Sequence, residues 1–293
     1  VTFNEANAVE ALVARALAGP DTVTACGPGL ARKGRTIAGV GWHHVSAADL
    51  PRQHHEPWVE QHIVDALCRL NPEIAANPDL ADEVLYKLRA IQQSVRADGP
   101  IKSNEEFSGW LRGERSMPFA KNHEHVTVRL IDFDNLENNQ YVLTTQYTFR
   151  AGNSTQRLDV VLLVNGFPLV VIEAKTPVRS SVSWVDGAVQ VQRYEADAPE
   201  LFVSNVFSVA TEGKDLRYGS LRLPLKDWGP WRLDEALPAA GQLANVEAAA
   251  KSLMKPAVVL DILANFTLFA TDSKKRRIKR ICRYQQFEAT NLI

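Results

Sequence analysis

The sequence predicts an α/β fold (α+β in the order of its elements), with a central mixed β-sheet flanked by helices. Two apolar, β-branched runs, Val160–Val164 and Leu169–Ile172, flank Asn165-Gly166 in RLDVVLLVNGFPLVVIEAK, residues 157–175. Neither run alternates with polar residues, so both faces of both strands are expected to be buried, as in the middle of a sheet. A helical pattern at about 184–196 then precedes a third apolar run at 201–211. Strand–strand–helix–strand describes a mixed sheet with helices packed on it.

The other elements follow from periodicity. Asn-Gly between two strand patterns signals a hairpin. Residues 5–17 carry Val9, Leu12, Val13, Ala16 and Leu17 on one helical stripe. Glu5 lies one turn before Val9, near the top of that stripe, and Glu10 is turned about a quarter circle away. A helix is expected at 57–70, with Pro57 in its first turn and Val59, Ile63, Ala66, Leu67 and Leu70 inward. Another is expected at 79–95, opening at Asp79, with Leu80, Val84, Leu88 and Ile91 in register. Residues 126–133 and 140–149 are rich in β-formers around Asn138-Asn139, which predicts an antiparallel pair. Residues 19–56 mix Gly, Pro and His and read in part as an irregular insertion. Toward the end, 251–270 looks helical, KKRRIKR (274–280) is a basic run, and 283–293 resumes a helical pattern.

Composition narrows the function classes. A chain of 293 residues supports one large core or two small ones. The net charge of −1 gives no global basic field, so a nucleic-acid surface has to be a local patch. Cys26, Cys68 and Cys282 are far apart and form no Cys-x-x-Cys pair, which argues against a thiolate zinc site and fits a reducing, cytoplasmic setting. The start of the chain lacks the basic and apolar regions of a signal peptide. No apolar run approaches the roughly 20 residues of a membrane span. The clustered histidines, six of the seven (His43-His44, His54-His55, His123, His125), lack the spacing of a zinc module, and Gly27-x-Gly29 is too short for a dinucleotide fingerprint.

The chemistry is expected where charges interrupt the apolar runs. Asp159 opens the first strand, and Glu173 and Lys175 close the second, two apart and so on one face. Charges in a buried sheet must be paired, metal-bound or at its solvent edge. Two carboxylates beside an ammonium supply hard oxygen ligands for Mg²⁺ and a cation to position water. The register sets a condition. With a bare two-residue turn at Asn165-Gly166, Asp159 pairs with Ile172 and Glu173 falls on the opposite face. The site therefore requires a three-residue loop centred on Gly166 or a β-bulge. By themselves, these three charges are a pattern that many sheets contain as ordinary solvated side chains.

The surrounding residues are more specific. VNGFPLVVIEAK resembles the nuclease motif VNG-x-PLV-x-IE-x-K of type I restriction enzyme R subunits, in the PD-(D/E)xK nuclease superfamily. LIDFDNLENNQYVLTTQYTF resembles the strands leading into it, Gln190 and Tyr194 match a Gln-x-x-x-Tyr element, and 209–220 is similar to the strand and turn that follow. Leu158 departs from the Pro that commonly precedes the first Asp. The resemblance implies a restriction-endonuclease-like fold and Mg²⁺-dependent cleavage of double-stranded DNA, without sequence specificity at the cut. It implies Asp159, Glu173 and Lys175 as catalytic residues, with metal held by Asp159, Glu173 and the Ala174 carbonyl. Gln190 and Tyr194, four apart and so on one helix face, are supporting residues able to hydrogen-bond phosphate oxygens. The fold often takes another acid from its first helix, and Glu5, on the inward stripe, is preferred over Glu10.

RRIKRICRYQQFEATNLI resembles the entry to the helicase module of R subunits, with Gln286 as the match for an adenine contact. No Gly-x-x-x-x-Gly-Lys-Ser/Thr loop occurs in the sequence, so ATP is expected to concern only a motor outside it. The expected layout is an endonuclease domain over 1–250 and a helical, basic linker over 251–293. The implied partners are the methyltransferase and specificity subunits and the chain's own helicase domain. A non-catalytic docking or DNA-binding module on the same fold, or a repair or junction nuclease of the same superfamily, remains an alternative.

Overall fold

A computed structural model of the chain describes residues 8–19, 39–176, 181–231 and 242–292. Helix α1 (Ala8–Ala18) is followed by the short strand β1 (His43–His44), then α2 (Glu60–Leu70), α3 (Pro72–Ala76), α4 (Leu80–Asp98) and α5 (Pro100–Leu111). Strands β2 (Ser116–Met117) and β3 (Val126–Thr127) precede the central run β4 (Tyr141–Ala151), β5 (Ser154–Val164) and β6 (Phe167–Ala174). Helix α6 (Trp184–Asp197) leads to β7 (Phe207–Thr211), β8 (Leu216–Gly219) and β9 (Gly229–Pro230). The described chain ends with α7 (Gln242–Leu253), α8 (Pro256–Asn265), β10 (Thr267–Thr271), β11 (Arg277–Ile281) and α9 (Tyr284–Asn291).

The main sheet has the order β1-β4-β5-β6-β7-β8-β9. β4, β5 and β6 form an antiparallel meander, and β6 pairs with β7 in parallel through the α6 crossover. It is the mixed sheet flanked by helices that the sequence predicts. Every residue of β6 is buried, and the two faces feed two separate apolar clusters. Val160, Leu162, Val170 and Ile172 join α1, α2, α4, α7 and α8 on one side. Val161, Leu163 and Val171 join Ala188, Val191 and Tyr194 of α6 on the other. Each such aliphatic side chain contributes roughly 1.5–3 kcal/mol by burial, which is why unbroken apolar runs belong in these central strands.

The hairpin between β5 and β6 meets the register condition. Val164 pairs with Phe167 and Leu163 with Pro168, so the turn is Asn165-Gly166 alone, but Leu162 then pairs with Val170. Leu169 is the extra residue of a β-bulge, and beyond it the pairs run Val161–Val171 and Val160–Ile172. Carried one step further, Asp159 stands opposite Glu173. The bulge is tied down on its far side. Val206 N–H donates to the Leu169 carbonyl at 2.7 Å, Asn205 Nδ2 donates to the same oxygen at 3.3 Å, and Ser204 Oγ donates to the Pro168 carbonyl at 3.0 Å. Pro168, which has no N–H to donate, is tolerated beside this bulge, ahead of the stretch where β6 pairs with β7.

Two strand expectations need correction. Residues 126–133 and 140–149 do not pair: β3 pairs with β2, and β4 lies between β1 and β5. Side chains satisfy the backbone of the intervening loop locally. Asp132 accepts from the N–H groups of Asp134 and Asn135 at 3.0 and 2.9 Å, and the Asn139 amide bonds both the N–H and the carbonyl of Asp132. Such bonds compete with a ladder, while Leu130 and Ile131 fill the core as loop residues. The apolar run 201–211 is likewise strand only from Phe207; Pro199–Phe202 is a 3₁₀ turn.

The basic run mixes exposed charges with one buried charge. It enters β11, whose alternation divides the charges: Arg277 pairs with Glu105, and Lys279 is buried, donating to the Asn205 carbonyl at 2.5 Å. Residues 251–270 are helical only to Asn265, after which β10 pairs with β11. Val246, Ala250, Leu253, Val259, Leu263 and Phe287 join the same apolar cluster as α1 and α4.

Gly166 offers a sharp test of the hairpin. Its φ is +89°, and a Cβ there would lie 2.4 Å from the Val59 carbonyl oxygen. Gly166→Ala is expected to destabilise the chain by about 2–4 kcal/mol, from the left-handed backbone and the overpacking together. Urea unfolding measures this; an unchanged midpoint would show that the turn is not the one described.

Candidate active site

The bulge and the α6 crossover bring the predicted residues together at one end of the sheet. Asp159, half-buried at the start of β5's apolar run, accepts a hydrogen bond from the Ala174 N–H through Oδ2 at 2.9 Å. Glu173 is wholly buried on the facing strand, and its Oε1 accepts from Lys175 Nζ at 2.7 Å. Lys175 keeps 23% of its side chain exposed and so reaches the site from the solvent side.

Helix α6 supplies the next layer. Ser183 and Asp186 form a capping box at its start, fixing where the helix begins. One turn in, Gly187 lets it approach β6: a Cβ there would stand 3.2 Å from the Ala210 Cβ and 3.3 Å from the Glu173 carbonyl oxygen. On the same face, Gln190 accepts from Lys175 Nζ through Oε1 and donates through Nε2 to the Tyr194 hydroxyl. Tyr194 donates in turn to the Arg157 carbonyl at 3.0 Å. The sequence suggested phosphate oxygens as partners for Gln190 and Tyr194. Here both are engaged in a chain of hydrogen bonds that holds the lysine.

The first-helix acid is only partly decided. Glu5 lies outside the described residues. Glu10 is buried despite its position off the apolar stripe, because β4 covers that side of α1: Gln146 Nε2 donates to Glu10 Oε2 at 2.8 Å. Burial pushes the Glu10 carboxyl up, and the nearby Asp159 charge adds to this. Gln286 lies apart from the site, exposed in the first turn of α9, where its Oε1 accepts from the Arg283 N–H at 2.8 Å.

The electrostatics favour an added positive charge. Glu173 is pushed up to about 8, first by burial and then by the Asp159 charge, with Lys175 acting in the other direction. Tyr194 is pushed up to about 12, again first by burial and then by Glu173. Glu173 Oε2 is buried without a hydrogen-bond partner among the described residues. A buried carboxylate oxygen left this way needs a proton or a cation. No group of three or more His, Cys, Asp and Glu side chains is placed to hold a metal among the described residues. Mg²⁺, however, is commonly held by one or two carboxylates with water completing its shell. The donor set of Asp159, Glu173 and the Ala174 carbonyl fits that ion rather than a fully protein-bound one.

Gln146 and Gly187 were not identified from the sequence. Gly187 did leave a signal, since a glycine inside a helical pattern costs about 1 kcal/mol and usually has a packing reason. Gln146 left none, because nothing in its neighbours marks an unusual backbone.

The raised Glu173 carboxyl predicts a pH dependence. The folded protein holds this proton while the unfolded chain releases it near 4.5. Its contribution is therefore fully present below that pH and lost as pH rises toward about 8. In chelator, denaturant unfolding should show Glu173→Gln losing less stability than wild type between those limits. Parallel profiles for the two proteins would mean that the proton is not held.

Comparison with known proteins places this geometry. Residues 35–226, which enclose Asp159, Glu173, Lys175, Gln190 and Tyr194, match the family described as type I restriction enzyme R protein N terminus. The type I restriction enzyme HindI endonuclease subunit of Haemophilus influenzae is 29% identical over 272 residues, which is 87% of this chain and 25% of that protein. The putative MjaVIIIP endonuclease subunit of Methanocaldococcus jannaschii is 30% identical over 164 residues, 55% of this chain and 15% of that protein. The putative MjaVIIP subunit of the same organism is 29% identical over 183 residues, 58% and 16% of the two chains. The chain thus spans about a quarter or less of the length of the curated relatives it matches, and it belongs to the type I restriction enzyme R protein N-terminal family.

Proposed function

We propose that this chain is the Mg²⁺-dependent DNA-cleaving portion of a type I restriction R subunit. The observation that carries the reading is the orphaned, buried Glu173 Oε2 beside Asp159 and Lys175. A fold that needed only stability gains nothing from two carboxylates set into a buried sheet.

Asp159 and Glu173 would hold the ion, with the Ala174 carbonyl as a further oxygen. When bound, Mg²⁺ in such a site polarises the scissile phosphodiester and lowers the pKa of water. Lys175 has three N–H donors, and two are described, to Glu173 and Gln190. The third is left to orient the attacking water or to meet charge developing on the phosphoryl oxygens. Gln190 fixes the ammonium by accepting from it, and Tyr194 fixes Gln190 by anchoring to the Arg157 carbonyl. The candidates for a further acid are Glu5, outside the described residues, and Glu10, which is near enough to Asp159 to feel its charge.

Residues 1–250 are assigned to cleavage and 251–293 to the approach to an ATP-driven motor, with Gln286 as its adenine contact. That contact requires Gln286 to leave the Arg283 N–H. Choice of sequence on double-stranded DNA is assigned to partner specificity and methyltransferase subunits, and the setting to the cytoplasm. No helix among the described residues is long and apolar enough to cross a membrane.

Asp159→Ala and Lys175→Ala, made in the full-length protein with its partner subunits, should each lower DNA cleavage on the order of 10²–10³-fold. Unfolding stability should change by no more than about 1–2 kcal/mol, the scale of a lost hydrogen bond. Crystals soaked in millimolar Mn²⁺ should show the ion between Asp159 and Glu173. Wild-type cleavage by both variants, with no ion bound, would favour a docking module on a nuclease fold instead.

A further inference from the structure

We propose that Gln146 is a positioning residue of this site: its left-handed backbone turns the side-chain amide onto Glu10 and so fixes that carboxylate beside Asp159. The inference rests on the nuclease reading above and adds a residue on a third strand.

Gln146 has φ +57°, a region that costs an ordinary L-residue roughly 1–2 kcal/mol. The other non-glycine residues with positive φ among those described, Asn122, His123, Asn165, Arg222 and Lys275, all lie outside strands, in turns, a bend or a short 3₁₀ segment. Gln146 lies inside β4, between the regular pairs Thr145–Val160 and Tyr147–Leu158. Those pairs place it opposite Asp159, the one position where the ladder is interrupted. Strain of this kind persists only where surrounding structure imposes it, and it collects at functional sites.

A kink needed only to curve β4 would be served better by Gly or Asn, which enter the left-handed region at less cost. Gln brings something they do not: an amide long enough to place Nε2 2.8 Å from Glu10 Oε2. Glu10 is 8% exposed, so its carboxylate depends on protein donors rather than water for orientation. Three adjacent elements thus present one polar group each: Glu10 from α1, Gln146 from β4 and Asp159 from β5. The amide bonds Glu10, while the Asp159 carboxylate accepts from the Ala174 N–H.

The test compares Gln146→Gly with Gln146→Ala, using Asp159→Ala as the control for the nuclease reading, in the full-length protein with its partner subunits. Gly accepts the backbone and removes the amide. It should melt no lower than wild type, yet its kcat for DNA cleavage should fall on the order of ten- to a hundredfold with KM unchanged. Ala keeps the strain and loses the amide, so it should show the same fall in kcat and a lower Tm. In a Glu10→Gln background the Gly substitution should lower kcat no further. Where cleavage is too slow to read, the Tm drop of Gln146→Ala should shrink in a Glu10→Ala background. Wild-type kcat in Gln146→Gly while Asp159→Ala is dead would reduce Gln146 to a strand kink and leave the nuclease reading intact. Effects undiminished in the Glu10 backgrounds would overturn the link to that acid. Wild-type cleavage by Asp159→Ala would remove the nuclease reading itself, and the inference with it.

Discussion

The site depends on one extra residue. Leu169 shifts the β5–β6 register by one, and side-chain alternation makes a shift of one a change of face. Without it, Asp159 faces Ile172, Glu173 lies on the other side of the sheet, and Lys175 follows it there. With it, the two carboxylates stand across from each other and the ammonium falls on their face. The bulge is in turn held by Ser204, Asn205 and Val206, which bond the Pro168 and Leu169 carbonyls from the turn before β7. A short polar loop at one end of the sheet thereby decides which side chains meet at the other.

The same loop connects the site to the C-terminal elements. The Asn205 carbonyl, beside the bulge, receives both the buried Lys279 ammonium of β11 and the Asn104 amide of α5. Burial pushes the Lys279 ammonium down to about 7, so this position is held against a desolvation cost. A slip of β11 by one residue would place Ile278 or Arg280 at this carbonyl and expose Lys279. The hairpin therefore fixes its own register and braces the segment on which the β5–β6 register rests.

Much of this was legible from the sequence. Unbroken Val, Leu and Ile on both sides of Asn165-Gly166 identified two central strands, and the charges at their ends marked the residues that the bulge brings together. The parity of the hairpin required the bulge before its location was known. What stayed hidden was whatever depends on contacts distant in sequence or on local polar competition. Asp132 and Asn139 turned an apparent strand into a self-bonded loop. Lys279 sat in a basic run whose composition does not mark one of its charges as buried. Glu10 seemed misplaced on its helix because helical spacing places a side chain relative to its own helix, not to the strand that covers it. Gln146 lay in an ordinary β pattern, and a left-handed residue leaves no periodic signature.

These hidden features share a direction. Glu10 and Glu173 are both pushed up by burial and by the Asp159 charge, against which the Gln146 amide and Arg157 act on Glu10 and Lys175 acts on Glu173. Gln146 adds backbone strain in the same place. The buried carboxylates and the strained backbone subtract from the stability of the chain, and the surrounding sheet, with two apolar clusters packed against its faces, offsets them. A site arranged for stability would have replaced the carboxylates with aliphatic side chains of similar volume, which buried sheets accept readily. The carboxylates persist there against that cost, which sets this end of the sheet apart from the aliphatic core around it.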